Sequence, residues 1–322
     1  MKKILTGIKP TGSGMHIGNY FGAVLPLIEL SKKYDTTLFI PDYHSLTSVH
    51  DGDILTQNKA RMLREYISLL PKNVRIFEQS KIDHINNMAW VLSSVTPYSL
   101  MLRAHSFKDA QNKNSDINMA IFNYPILMAA DIISYDFDIV PVGKDQKQHL
   151  EFARDIAGNF NRTYGVDFFK LPEPHIDETV MTIPGTDGRK MSKSYNNHIG
   201  IFDDEKTLKK KIMSIVTGSE GLDDPKDPEN CNVFALIKLF ASEEKQTEIA
   251  QKYREGGYGY GHAKLELLDL ILQYFSEARA KYQALEKDDN ELQHRLEKGN
   301  HEANEMATQK YTQLMHIVGL GK

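Results

Sequence analysis

Short apolar runs alternate with amphipathic stretches along the first half of the chain. Lys3–Gly7, Thr37–Ile40, Val74–Phe77 and Ile139–Val142 each read as a strand. Between the second and third of these, Leu55, Met62, Leu63, Tyr66, Ile67 and Leu70 recur at helical spacing and so share one face. A further helix is expected over Ile17–Lys32, kinked or broken at Pro26, whose ring removes an N–H donor. Alternation of this kind predicts βαβ units, and so an α/β fold whose parallel sheet carries helices on both faces. Ligands of such sheets sit outside the carboxyl ends of the strands. The residues just after Gly7 are therefore the first place to look for a site.

The pattern changes after Ser194. From Asp204 onward no strand is predicted, and lysine and glutamate alternate with apolar residues at helical spacing. Asp223–Glu229 reads as a loop, and Gly256–Gly261 as a breaker before a long helix from Ala263. Two domains are expected: an α/β domain over residues 1–195 that carries the site, and an all-α domain over residues 196–322. The last helix of the second is free to pack back on the first.

Composition narrows the classes. With 322 residues, 41% hydrophobic and 25% charged, the chain has an ordinary globular profile and enough length for a substantial core. A formal net charge of −4 gives no global basic field, so any RNA contact must use a local patch. The single cysteine, Cys231, excludes an intramolecular disulfide, and no structural metal is expected. No apolar leader follows Met1-Lys2-Lys3 and no stretch is long enough to span a bilayer, so a cytoplasmic location without membrane partners is expected.

Two segments carry phosphate chemistry. In Pro10-Thr11-Gly12-Ser13-Gly14-Met15-His16-Ile17-Gly18-Asn19, the glycines let the backbone turn tightly and approach a ligand. A helix starting near His16 would aim its free N–H groups at a phosphate, with His16 and Asn19 on the first turn. Taken alone, this segment is equally a capped turn with no ligand. Far along the chain, Lys190-Met191-Ser192-Lys193-Ser194 offers two ammonium groups suited to a pentacoordinate phosphorus and a departing pyrophosphate. Its bland reading is a solvated basic loop.

A third segment bears on a second ligand. Tyr124, Met128 and Asp131 follow i, i+4, i+7 spacing, with Pro125 expected in the first turn of their helix. An aromatic, a thioether and a carboxylate on one face make a flat apolar slot with one acceptor, which suits the single N–H donor of an indole. From spacing alone, a core face with a buried ion-pair carboxylate is the commoner outcome.

His-Ile-Gly-Asn at 16–19 and Lys-Met-Ser-Lys-Ser at 190–194 resemble the two motifs of the class I aminoacyl-tRNA synthetases. The run from Tyr124 through His149, with Gly7–Gly12, Asp42-Tyr43-His44, Phe107-Lys108 and Gly257–Gly261, resembles the bacterial tryptophanyl-tRNA synthetases, and the likeness covers essentially the whole chain. It implies a Rossmann-like sheet plus a helical domain that reaches the anticodon. It also implies a homodimer, ATP with Mg²⁺ as the substrate complex, and L-tryptophan and tRNA(Trp) as partners. Residue by residue, it places Lys9, Pro10, Thr11, Gly18 and Asn19 on ATP, Gly143, Lys144 and Asp145 near the ribose, and Val180 with Met191 beside adenine. Lys108, Lys190 and Lys193 would meet the triphosphate, with Ser192 and Ser194 in the same loop and His16 and Asn19 assisting. Asp131 would receive the indole N–H, Met128, His44 and Leu5 would line the slot, and Tyr124 with Gln146 would hold the amino-acid end.

Three departures from that family's usual pattern stand out: Lys9 replaces glutamine, Lys144 replaces glutamate, and His105-Ser106 replaces threonine-glutamine. Asn19 also stands where class I motifs close with histidine. The attacking group is a carboxylate already ionised at neutral pH, so no general base is needed and an amide suffices there. The alternatives are a tyrosyl-tRNA synthetase, a nucleotidyltransferase of the same superfamily, and a non-catalytic RNA-binding paralogue. Leu5 argues against the first, because such enzymes place a tyrosine on that strand. The helical second domain argues against the second, and intact Lys190 and Lys193 against the third. Lys206, Lys209, Lys210 and Lys211 could track RNA phosphates, though a lysine run is more often a solvated face.

Overall fold

The computed structural model describes residues 1–10, 12, 14–112, 117–141, 147–171, 173–175 and 182–321. Five strands, β1 (Lys3–Gly7), β2 (Asp35–Ile40), β3 (Arg75–Glu78), β4 (Ile139–Pro141) and β5 (Glu173–His175), form one sheet in the order β3-β2-β1-β4-β5. All pairings are parallel. The first half of the chain adds α1 (Ile17–Asn19), α2 (Leu25–Ser31), α3 (Asp42–Ser45), α4 (Gly52–Leu69), α5 (Ile85–Ser93), α6 (Tyr98–Met101), α7 (His105–Asn112), α8 (Met119–Ile133) and α9 (Lys147–Tyr164). Beyond the sheet come α10 (Glu205–Met213), α11 (Asn232–Ile237), α12 (Glu243–Glu255), α13 (Tyr260–Tyr274), α14 (Ser276–Lys287) and α15 (Asn290–Ile317).

Strand alternation divides the core in two. Leu38, Ile40 and Ile76 face a cluster that runs on through Met62, Leu63, Tyr66 and Ile67 of α4 into Leu208, Val233 and Leu267 of the helical half. Leu5, Phe39, Phe77 and Val140 face the opposite cluster, with Met88 of α5, Ala129 of α8 and Ile156 of α9. The sheet is buried on both faces, as a parallel sheet must be. Its order reverses direction between β1 and β4, which opens the ligand crevice at the carboxyl ends of those two strands.

The chain disturbance expected at Pro26 begins just upstream of it. Tyr20–Val24 forms a π-helical segment in which the Leu25 N–H bonds the Tyr20 carbonyl, and Pro26 then lies in the first turn of α2, where its missing N–H costs nothing. The position expected for Pro125 is corrected. Helix α8 starts six residues earlier, where the Asn118 side chain accepts the Ile121 N–H at 3.0 Å, and Pro125 is buried inside it. A strong N-cap and burial of a largely apolar helix outweigh one lost backbone bond.

Helix α15 returns to the sheet. Its Leu292 and Leu296 belong to the first cluster and Ala303, Ala307 and Leu314 to the second, so it crosses the outer edge at β3. At the crossing sits Gly299, where a Cβ would fall 1.9 Å from the Ile76 carbonyl oxygen. The side chains of Asn300 and Asn304 accept the N–H groups of Glu78 and Asp83 at 2.8 and 3.0 Å.

Candidate active site

The glycine turn and the lysine loop are stitched together. The Ile17 N–H donates to the Ile199 carbonyl and the Ile201 N–H to the Met15 carbonyl, each at 3.0 Å. The Gly18 N–H donates to Met191 Sδ at 3.3 Å. After β1 the chain turns at Gly12, which takes φ +80°, a conformation that favours glycine. His16 then caps α1 reciprocally: its Nδ1 accepts the Asn19 N–H at 3.2 Å, and its own N–H donates to Asn19 Oδ1 at 3.3 Å. Nδ1 being an acceptor, the neutral ring carries its proton on Nε2. Burial, with the nearby charges of Lys193, His198 and Lys211, lowers the His16 pKa to about 4. Near neutral pH it is an uncharged donor.

A cavity of about 120 Å³ opens at the carboxyl end of β1, lined among others by Lys9, Gly12, Gly14, Asn19, Glu65 and Lys193. Burial lowers the pKa of Lys193, a tendency that the Glu65 charge opposes. Burial likewise lowers that of Lys9, whose ammonium donates to Thr47 Oγ1 at 2.9 Å just past α3. Glu65 is only 4% exposed, accepts the Met15 N–H at 3.0 Å, and has its pKa raised by burial. Gly14 lets the turn pass close beside it: a Cβ there would stand 2.5 Å from Glu65 Oε1, so any larger residue would have to displace that carboxylate. Pro10 lines the same cavity.

The lysine loop owes its shape to Asn197, only 2% exposed. Its Oδ1 accepts the Ser192 N–H at 2.8 Å, and its Nδ2 donates to Asp187 at 2.6 Å and to the Lys190 carbonyl at 3.1 Å. Ser192 caps the following turn by accepting the Ser194 N–H at 3.2 Å, while Met191 is buried between loop and turn. Lys190 and Ser194 are exposed, as is Lys108 on α7, and none of the three lines the cavity.

The second half of the site lies over α8. Asp131, 1% exposed, sits 2.9 Å from His44 Nε2 and accepts from Gln79 Nε2 at 2.9 and 2.8 Å on its two oxygens. Burial raises its pKa, and the bonds from His44 and Gln79 oppose that shift. Tyr124 and Met128 are half-buried on the same helix, and the Tyr124 ring meets His44 edge-on at 5.9 Å between centroids. Its hydroxyl lies 3.2 Å from His149 Nε2. Leu5, on β1, is buried in the cluster under this helix. The two halves are tied by one segment: α3 carries His44, and the turn after it carries the Thr47 hydroxyl that holds Lys9.

Gln79, Glu65 and Asn197 were absent from the sequence-derived set. Gln79 follows β3 directly, so its place at a strand's carboxyl end was a usable signal. Glu65 interrupts the buried stripe of α4, which was another. Thr11, Gly143, Lys144, Asp145, Gln146 and Val180 lie outside the described residues.

A model of the family "tRNA synthetases class I (W and Y)" matches residues 1–276. A Fusobacterium nucleatum protein named Tryptophan--tRNA ligase is 48% identical over 322 residues, covering 99% of this chain and 98% of the other. A Campylobacter jejuni protein of the same name is 45% identical over 320 residues, covering 99% and 100%. The crystal structure of tryptophanyl-tRNA synthetase from C. jejuni complexed with ADP and tryptophan superposes with a TM-score of 0.95 at 45% identity, over 99% of this chain and 100% of that one.

Proposed function

This chain belongs to the class I tRNA synthetases of the tryptophan and tyrosine group, and we propose that it catalyses the tryptophan–tRNA ligase reaction. The observation that carries this reading is full-length identity of 48% and 45% with proteins named for that activity. The tryptophan carboxylate attacks the α-phosphorus of ATP, held as its Mg²⁺ complex, giving tryptophanyl-adenylate and pyrophosphate. A hydroxyl of the terminal tRNA ribose then attacks the acyl carbon, and AMP leaves.

Each part of the site has a task in that sequence. The Gly12–Asn19 turn receives phosphate oxygens, with the neutral His16 donating from Nε2. Lys193, half-desolvated beside the same cavity, stabilises the charge that develops on the departing pyrophosphate. Lys190 and Lys108 reach the triphosphate from its solvent side. Asp131 accepts the indole N–H, with His44, Met128 and Leu5 around the ring and Tyr124 toward the amino group. A buried acceptor of this kind disfavours a guest that cannot supply one donor there.

tRNA(Trp) is the acyl acceptor, and α10 offers phosphate contacts. Lys206, Lys209 and Lys210 are exposed there, whereas Lys211 is held by Asp203 at 2.9 Å. Self-association into a homodimer is supported by Trp90, Tyr98 and Met119, which stand 79%, 68% and 67% exposed on the neighbouring helices α5, α6 and α8. Among the described residues no helix is long and apolar enough to cross a membrane, in keeping with a cytoplasmic enzyme. ATP–pyrophosphate exchange tests the reading: exchange is expected with tryptophan and not with tyrosine, and the reverse result would reassign the substrate.

A further inference from the structure

Gln79 grips the buried carboxylate of the indole cleft through its side-chain amide, and it is itself fully buried. It starts the short turn Gln79–Lys81 after β3. Its amide orientation is fixed from outside, because Oε1 accepts the Tyr43 backbone N–H at 3.1 Å. A backbone N–H can only donate, so Nε2 is the end that faces Asp131. One amide N–H then points between the two carboxylate oxygens and reaches both. The next residue is pinned as well: the Ser80 N–H and hydroxyl donate to the two oxygens of Asp42 at 2.9 and 2.5 Å. Strand end, α3 and α8 thus meet in one rigid polar unit.

Such a unit answers a physical difficulty. A carboxylate removed from water favours its protonated form, and a protonated Asp131 would turn one of its two acceptor oxygens into a donor and accept less strongly on the other. The groups acting on it are few. From α3 come His44 at 2.9 Å and the like charge of Asp42, which is paired with Lys59 at 3.3 Å. The Tyr135 hydroxyl, beyond the end of α8, stays protonated by burial and by Asp131 itself. From α9, His149 engages Tyr124.

We propose that Gln79 is the positioning residue of the indole cleft: its amide pins both oxygens of Asp131, holds the carboxylate as an acceptor, and so sets the preference for a guest with one N–H. This deepens the tryptophan reading and rests on it. Gln79→Leu removes the donor that both oxygens share. Gln79→Glu is nearly isosteric, and it donates to Asp131 only while the two carboxyls share a proton, which neighbouring buried carboxyls release at raised pH.

The test is ATP–pyrophosphate exchange by the full chain from pH 6 to 9, with KM measured separately for tryptophan and ATP. In Gln79→Leu, the tryptophan KM is expected to rise about tenfold or more at every pH, with ATP KM and kcat changed less than about threefold. In Gln79→Glu, it should lie near the wild-type value at pH 6 and climb about tenfold or more by pH 9, a trend the wild type lacks. An active wild type with variants that leave the tryptophan KM within about twofold overturns the assignment. So does an equal rise for both substrates with no dependence on pH, which would mark a merely structural residue. A wild type without tryptophan-dependent exchange removes the parent reading, and this one with it.

Discussion

The backbone N–H of Gly18 donates to the sulfur of Met191 at 3.3 Å, joining residues 173 positions apart in sequence. A thioether is a weak acceptor, so a phosphate oxygen arriving at the turn displaces it at small cost. Met191 is also 4% exposed, which couples the packing of the lysine loop to the state of the phosphate turn. Lys193 is delivered to the cavity by that loop. Lys193→Ala is expected to lower the rate of adenylate formation by about 10²-fold or more while tryptophan KM stays within about threefold. ATP–pyrophosphate exchange with kcat and KM resolved separates the two, and equal losses would show that the lysine is not specific to the transition state.

Glu65 brings a negative charge into a cavity meant for an anion. Glu65→Gln keeps an oxygen for the Met15 N–H and removes the repulsion, so ATP KM is expected to fall several-fold. The raised pKa of Glu65 also has a stability consequence. A carboxyl harder to ionise in the folded state costs stability once pH exceeds its unfolded value, so the variant should be the more stable protein at pH 8. That advantage should shrink as pH falls through the carboxylate range. Thermal melts at both pH values check this.

His16 works in the opposite direction. With its pKa lowered from 6.5 to about 4 by burial and neighbouring cations, the unfolded chain binds a proton between those values that the folded chain refuses. Stability should therefore fall as pH drops through that window and be indifferent to this group above it. His16→Asn retains a capping side chain. Urea unfolding at pH 7.5 and 4.5 should show a smaller acid loss in the variant than in the wild type.

Gly299→Ala tests the crossing of α15 over the sheet edge. The new methyl would overlap the Ile76 carbonyl, and backbone on both sides cannot yield cheaply. A loss of about 3 kcal/mol is expected in urea unfolding, at the upper end for overpacking. A change under about 0.5 kcal/mol would show that the helix slides freely.

Much of this was legible in the chain itself, for identifiable reasons. β1, β2 and β3 were found within two residues because their runs are apolar and buried on both faces. β5 was missed because Glu-Pro-His carries no such pattern. The phosphate motifs were visible because backbone turns need glycine and charge stabilisation needs lysine, both conspicuous residue types. Gln79 and Glu65 were less so, since each acquires its role from neighbours 36 or more positions away for Gln79 and 50 for Glu65, while Asn197 acquires its own only once the lysine loop has folded around it. Pro125 misled because proline is read as a helix start, whereas the real signal was the quieter Asn118.

The asparagine plugs of α15 have one further consequence. Asn300 takes the Glu78 N–H at the end of β3 and Gly299 brings α15 against the Ile76 carbonyl, so the helix denies an incoming strand its template on that side. Two copies of this protein cannot therefore fuse their sheets there into one continuous ribbon. Any pairing at that end of the molecule must instead be made side chain against side chain.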